Sequence, residues 1–182
     1  RLLEANYLKP QLSSTPDNFK EKLSYDKNGN IITLHRNGEH DDLVSPLQID
    51  NLDYRYAGNQ LQKVIDYTNN PNGFKDDSDG LNDDEEDYIY DNFGNLVYDQ
   101  NKGIQEITYN HLNLPTRIIF GNGNVIFYLY NAMGQKVKKL VVDNSSMSLN
   151  PNTETDYLSG FQYKNNVLQF FPHAEGYVNV TS

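Results

Sequence analysis

Four copies of one short pattern constrain this 182-residue chain more than anything else in it: a tyrosine, then Asp or Asn, two variable positions, and Gly or Asn. They read Tyr25-Asp26-Lys27-Asn28-Gly29-Asn30-Ile31, Tyr90-Asp91-Asn92-Phe93-Gly94-Asn95-Leu96, Tyr109-Asn110-His111-Leu112-Asn113-Leu114-Pro115 and Tyr130-Asn131-Ala132-Met133-Gly134-Gln135-Lys136. The last three start 19 and 21 residues apart. A fixed period near twenty marks a protein that stacks like supersecondary units beside one another.

Each copy has a local physical meaning. The tyrosine closes a strand, and the Asx side chain bonds nearby backbone. Gly or Asn tolerates φ > 0, and an apolar β-former such as Ile31 or Leu96 opens the next strand. Each unit is therefore a β-hairpin. From Tyr90 the chain reads turn, strand (Leu96 to Tyr98), a second turn around Asn101-Lys102-Gly103, and strand again (Ile104 to Tyr109). One period holds two strands and two turns, which suits an antiparallel meander. Composition agrees. Fourteen Tyr, eight Phe and 25 Asn, with a mean hydropathy of -0.74, favour half-buried pleated surfaces and frequent tight turns. No long, capped run with a helical period occurs, so the expected class is all-β.

The Tyr-Asp-x-x-Gly-Asn-Leu element, its period, and the stretch Gly160-Phe161-Gln162-Tyr163 with Val167-Leu168-Gln169-Phe170-Phe171-Pro172 resemble the YD-repeat (RHS-repeat) proteins of bacteria, over about Lys22 to Tyr177. That resemblance implies an extended, curved sheet of tandem hairpins, a section of a hollow β-shell. It also implies a large secreted or cell-surface protein whose shell in many bacterial members encloses a C-terminal toxin freed by self-cleavage at a core motif. The chain departs from the pattern at Asn113, where Gly is expected, and in the first two elements, which start 65 residues apart with only the shortened Tyr56-Ala57-Gly58-Asn59-Gln60-Leu61 between them. The self-cleavage residues have no match, so no catalytic residue is carried over. Beginning at Arg1 without methionine and stopping at Ser182, the chain reads as part of a longer polypeptide, upstream of the core. Its expected partner is the remainder of that polypeptide, with self-association through cut sheet edges as a further expectation.

Five regions are expected: 1–19, a lead-in strand and loop; 20–67, the first repeat region; 68–87, an acidic insertion; 88–142, the tandem repeats; and 143–182, a connector and terminal hairpin, read as Asp156 to Tyr163 paired with Val167 to Phe171. Gly121-Asn122-Gly123-Asn124 is the clearest turn. The strand Val125 to Tyr130 is apolar on both faces and is expected to be covered on each side, so that Phe127→Ala or Tyr128→Ala damages folding first.

Eight of the 25 carboxylates lie between Asp76 and Asp87, with no basic residue among them, so most of the net charge of -10 is local. Setting Gly80 at the sixth position of a calcium loop puts Asp77, Asp79, Asp83 and Glu86 at ligand positions, but Lys75 at the first argues against a true EF-hand. The window admits two readings, a looser calcium loop or a solvated acidic loop. Calcium is the one cofactor the sequence suggests.

Lys136, Lys138 and Lys139 are the only close basic group. They read as lysines guarding a solvated strand edge, with Lys136 and Lys138 on one face, and nucleic-acid binding is not expected. No run of about 20 apolar residues offers a membrane-spanning helix. There is no cysteine; His35, His40, His111 and His173 are dispersed, and Ser45 lacks a nucleophile-elbow context. A non-catalytic chain is expected. The remaining alternative is a carbohydrate-binding or adhesion module whose repeat tyrosines stack on glycan rings. Exposure decides between the two: an open platform favours glycan, and tyrosines packed in register favour a structural wall, the reading preferred here.

Overall fold

The computed structural model describes residues 1–7, 17–38, 46–76, 86–144 and 152–180. These form fifteen strands: β1 (Glu4–Asn6), β2 (Lys20–Tyr25), β3 (Ile31–Asn37), β4 (Gln48–Ala57), β5 (Gln60–Asp66), β6 (Tyr88–Tyr90), β7 (Leu96–Asp99), β8 (Ile104–Tyr109), β9 (Pro115–Phe120), β10 (Val125–Tyr130), β11 (Lys136–Val142), β12 (Thr153–Leu158), β13 (Phe161–Lys164), β14 (Val167–His173) and β15 (Gly176–Asn179). Strands β1 to β5 make one antiparallel sheet and β6 to β15 another, each in chain order. The protein is all-β and built of tandem hairpins. By contacts it divides into an N-terminal unit, Arg1–Ile89 with Asp99–Lys102, and a repeat unit, Tyr90–Tyr98 with Gly103–Ser182.

In the N-terminal unit the core lies on β4 and β5, where Ile49, Leu52, Val64 and Ile65 are buried. Carboxylates are buried among them. Asp50, 1% exposed, accepts Arg36 Nε at 2.5 Å and the amide of Phe74 at 2.5 Å. Asp66 accepts the amides of Asn51 and Thr68 and the Thr68 hydroxyl. A buried charge persists only where such partners replace water. The free edge of β5 is closed in the same way. Val64 N donates to Asp87 Oδ2 at 2.8 Å, Asp66 N to Asp76 Oδ2 at 3.0 Å, and Asp87 N to Gln62 O at 2.9 Å. Side chains bracketing the acidic segment thus occupy donors that another strand would otherwise pair with.

The repeat unit buries less. Ile104 and Ile107 are its buried apolar side chains among the described residues. The strand β10, expected to be covered on both faces, is half-buried along its length, and Leu129 is 47% exposed. Its cover comes in the plane of the sheet from β9 and β11 and from a lysine: Lys136 Nζ stands 4.1 Å from the Tyr128 ring centroid.

Three other expectations are corrected. The stretch Asp156 to Tyr163 is not one strand but parts of two, because Ser159 and Gly160 both take positive φ (49° and 93°) and turn the chain between β12 and β13. The lysines of β11 guard no edge, since β11 pairs with both β10 and β12. Lys136 and Lys138 do not share a face either. Tyr130 pairs with Lys136 but Leu129 with Lys138, so Val137 is an extra residue that reverses the alternation. Lys136 goes to the tyrosine face, and Lys138 pairs with Glu154 and Asp156 on the other.

Candidate functional site: the tyrosine-headed turns

The four motifs fold into the same object. Tyr25, Tyr90, Tyr109 and Tyr130 each end a strand (β2, β6, β8, β10) and are half-buried. The next residue closes a three-residue loop. Asp26 N donates to Asn30 O, Asp91 N to Asn95 O, Asn110 N to Leu114 O and Asn131 N to Gln135 O, all at 2.9–3.0 Å. The third loop residue, Gly29, Gly94, Asn113 or Gly134, donates back to the carbonyl of that closing residue and sits at φ 99°, 84°, 56° or 77°. This is a type I turn followed by a left-handed residue. Asparagine holds that conformation at little cost, which is why Asn113 replaces glycine without altering the turn.

The Asx side chain locks each loop. Asp91 Oδ1 accepts the amides of Phe93 and Asn95 at 2.9 and 2.8 Å, and its Oδ2 accepts Asn95 Nδ2 at 2.9 Å. Asp26 does the same with Gly29 and Asn30, and Asn110 and Asn131 do it uncharged. The bond from the Asn95 amide, with backbone amides behind it, holds the Asp91 carboxyl below its ordinary pKa. For Asp26, desolvation pushes upward, but hydrogen bonds from Asn30, Gly29 and Asn28 outweigh it and the net shift is downward.

The tyrosines join one hairpin to the one before. Tyr109 OH donates to Leu96 O at 2.5 Å and Tyr130 OH to Pro115 O at 2.9 Å, in each case the first strand residue after the preceding turn; Tyr25 OH reaches Leu2 O at 2.8 Å. Desolvation, with Asp91 nearby, raises the Tyr109 phenol above its ordinary pKa, and desolvation with Tyr128 does so for Tyr130. Both therefore remain donors through neutral pH. Asparagines add a second link, Asn95 Nδ2 to Asn113 Oδ1 at 3.1 Å and Asn30 Nδ2 to Asn59 Oδ1 at 3.2 Å.

One feature escaped sequence reasoning. A register shift sits beside Tyr25, Tyr56, Tyr109, Tyr130 and Tyr163, each time because the partner strand carries one extra residue: Ile32, Gln62, Thr116, Val137 or Gln169. Tyr56 and Tyr163 belong to the set although their turns, Gly58-Asn59 and Asn165-Asn166, have only two residues. The tyrosine one residue before the closing pair is the signal they share.

The turns also leave a row of side chains in solvent. Phe93 is 83% exposed, Leu112 46% and Met133 78%, all at the same loop position, where the first motif has exposed Asn28. Open grooves lie between successive turns, one lined by Phe93, Tyr109 and His111, the next by Leu112, Tyr128 and Tyr130. Of the calcium set, Asp77, Asp79 and Asp83 lie outside the described residues. Glu86 is exposed, and the amide of Gln62, turned to donate, lies 2.9 and 3.0 Å from its carboxylate oxygens. Among the described residues no three His, Asp or Glu side chains gather as a metal would require, and no helix is long and apolar enough to cross a membrane.

No protein-family model and no curated protein sequence matches the chain.

Proposed function

We propose that this chain is a non-catalytic wall section of a large YD/RHS-repeat protein, secreted or held at a bacterial cell surface, whose stacked hairpins encapsulate or display a C-terminal toxin or effector segment of the same polypeptide. The observation that carries the reading is the destination of the motif's polar groups. Each Asx side chain bonds its own loop, and the hydroxyls of Tyr25, Tyr109 and Tyr130 bond the backbone of a neighbouring strand or its extension. Groups engaged in this way build a ladder and are not free to meet a ligand.

Protease protection tests it. In the longer polypeptide, the segment that follows these repeats should resist digestion under native conditions and become sensitive once Tyr109→Ala and Tyr130→Ala loosen the ladder. Digestion of that segment at the same rate with and without the repeats would sink the wall reading. Clear hits on a glycan array, lost in the same double variant, would favour the carbohydrate-binding alternative.

A further inference from the structure

The strands of the repeat unit have unlike ends. At one end Phe93, Leu112, Met133 and Leu158 stand 83%, 46%, 78% and 58% exposed, one at each successive turn. At the other, the turns Gly121 to Asn124 and Asn165-Asn166 carry no apolar side chain. A single exposed apolar group is ordinary, but a row of them along one rim marks a contact surface.

Between these tips lie grooves built from equivalent positions. The first has Phe93, Val97 and Tyr109, and the second has Leu112, Thr116 and Tyr130. In both, one residue stands three places after a motif tyrosine, another seven places after it, and the third is the next motif tyrosine. Val137, Tyr157 and Leu158 line a third groove. The Tyr109 and Tyr130 hydroxyls stay in the ladder, so a groove offers the ring and not the hydroxyl.

Three features select the occupant. The first is period. Successive grooves lie two strands apart, about 9.6 Å, and a polyproline II helix repeats every three residues, about 9.3 Å. Over two intervals it stays within about 0.6 Å of the grooves, whereas an α-helix, at about 10.5 Å per seven residues, falls about 2 Å out of step. The second is charge. The ionised side chains lining the grooves already have partners: Asp91 in its own loop, Glu106 in Arg117 and the Thr108 hydroxyl, and Lys136 in the Tyr128 ring. The complementary ligand is therefore uncharged. The third is the backbone. The amides that close these turns are bonded within their loops, so the rim has no ladder for an added strand, and a polyproline II segment needs none.

We infer that this rim is a docking surface for an uncharged, proline-rich segment in the polyproline II conformation, which seats one apolar side chain in every three in successive grooves. Exposed His111, which lines the first two grooves, has a ring N–H to offer a carbonyl of that segment.

Isothermal titration of the intact chain with a peptide of four Leu-Pro-Pro triplets, acetylated and amidated at its ends, tests this. It should bind one to one, with a Kd that changes less than about twofold between about 0.05 and 0.5 M salt, because no ion pair forms. A peptide of four Leu-Gly-Gly triplets keeps the spacing without the pre-formed helix and should bind about tenfold more weakly or worse. Phe93→Ser and Leu158→Ser each strip one groove at an exposed position, and each should weaken binding about tenfold with an unchanged melting profile. Absence of binding at about 1 mM peptide overturns the inference. So does a glycine peptide that binds as well as the proline one, or a pair of serine variants that bind like the wild type. Flotation of the chain with phosphatidylcholine vesicles, lost in both serine variants while the peptide does not bind, assigns the row to a lipid surface and also overturns it. The wall reading stands or falls separately, by protease protection in the longer polypeptide.

Discussion

The N-terminal unit and the repeat unit are both antiparallel meanders, yet they hold themselves together by opposite means. The first sinks side chains beneath solvent: Leu52, Val64 and Ile65 are 1–3% exposed, and Asp50, Asp66 and Asp87 lie with them under compensating hydrogen bonds. The second leaves most of its strand residues half-buried and relies on links between neighbouring hairpins, Tyr109 to Leu96, Tyr130 to Pro115 and Asn95 to Asn113. The difference teaches that a repeat array need not build a deep core in each unit when every unit braces the next, so its stability resembles a sum of nearest-neighbour terms.

Substitutions can sharpen or break that contrast. The largest effect should come from Leu52→Ala, at about 2–5 kcal/mol in urea denaturation, with Phe127→Ala costing about half as much because β10 is only half-buried. Equal losses at the two sites would erase the distinction. Next, Asp87→Ala leaves Val64 N without its acceptor and should cost about 1–3 kcal/mol, with faster hydrogen exchange at the Val64 amide and greater aggregation through the uncovered β5 edge. Tyr109→Phe removes one interhairpin bond and should cost about 0.5–1.5 kcal/mol, felt as faster exchange in β7 and β8 while the amides of β4 and β5 do not change. Spread of that effect into β4 and β5 would show a single cooperative block.

The smallest effect is a pH dependence. Because the Asp91 carboxyl is held below its ordinary pKa, its stabilisation is present above the unfolded carboxylate value and is lost as pH falls through the folded one. Asp91→Asn should keep the turn, as Asn110 and Asn131 do, be nearly neutral at pH 7, and remove that part of the acid sensitivity. Carbon-13 titration of the Asp91 carboxyl, with a midpoint below that of an exposed aspartate, checks the premise.

What was legible in the sequence is what is local in physics. Asx chemistry, a left-handed residue and a strand-ending tyrosine lie within six residues of one another, and the turns at Asp26, Asp91, Asn110 and Asn131 fold as their composition requires. The Asp87 and Asp76 bonds to β5 were not legible, because they join a strand to carboxylates that looked like parts of a solvated segment. Nor were the extra residues at Thr116 and Val137, since a bulge is a relation between two strands, and only its recurrence opposite a strand-ending tyrosine marks it in the sequence. The Ser159-Gly160 turn was legible in principle as a turn dipeptide. Tyr163 looked like the end of a longer strand, which hid it.

The bulge that accompanies Tyr25, Tyr109 and Tyr130 shifts the alternation of inward and outward positions by one residue just after the turn. Each of these hairpins thus carries the same one-residue offset. Segments of 19 and 21 residues, differing by one full two-residue step, can then follow one another without turning a strand inside out. Excising 110–130 would join Tyr109 to Asn131 and recreate the motif at the seam, so an array of this design can lengthen or shorten by whole copies while every surviving side chain keeps its facing.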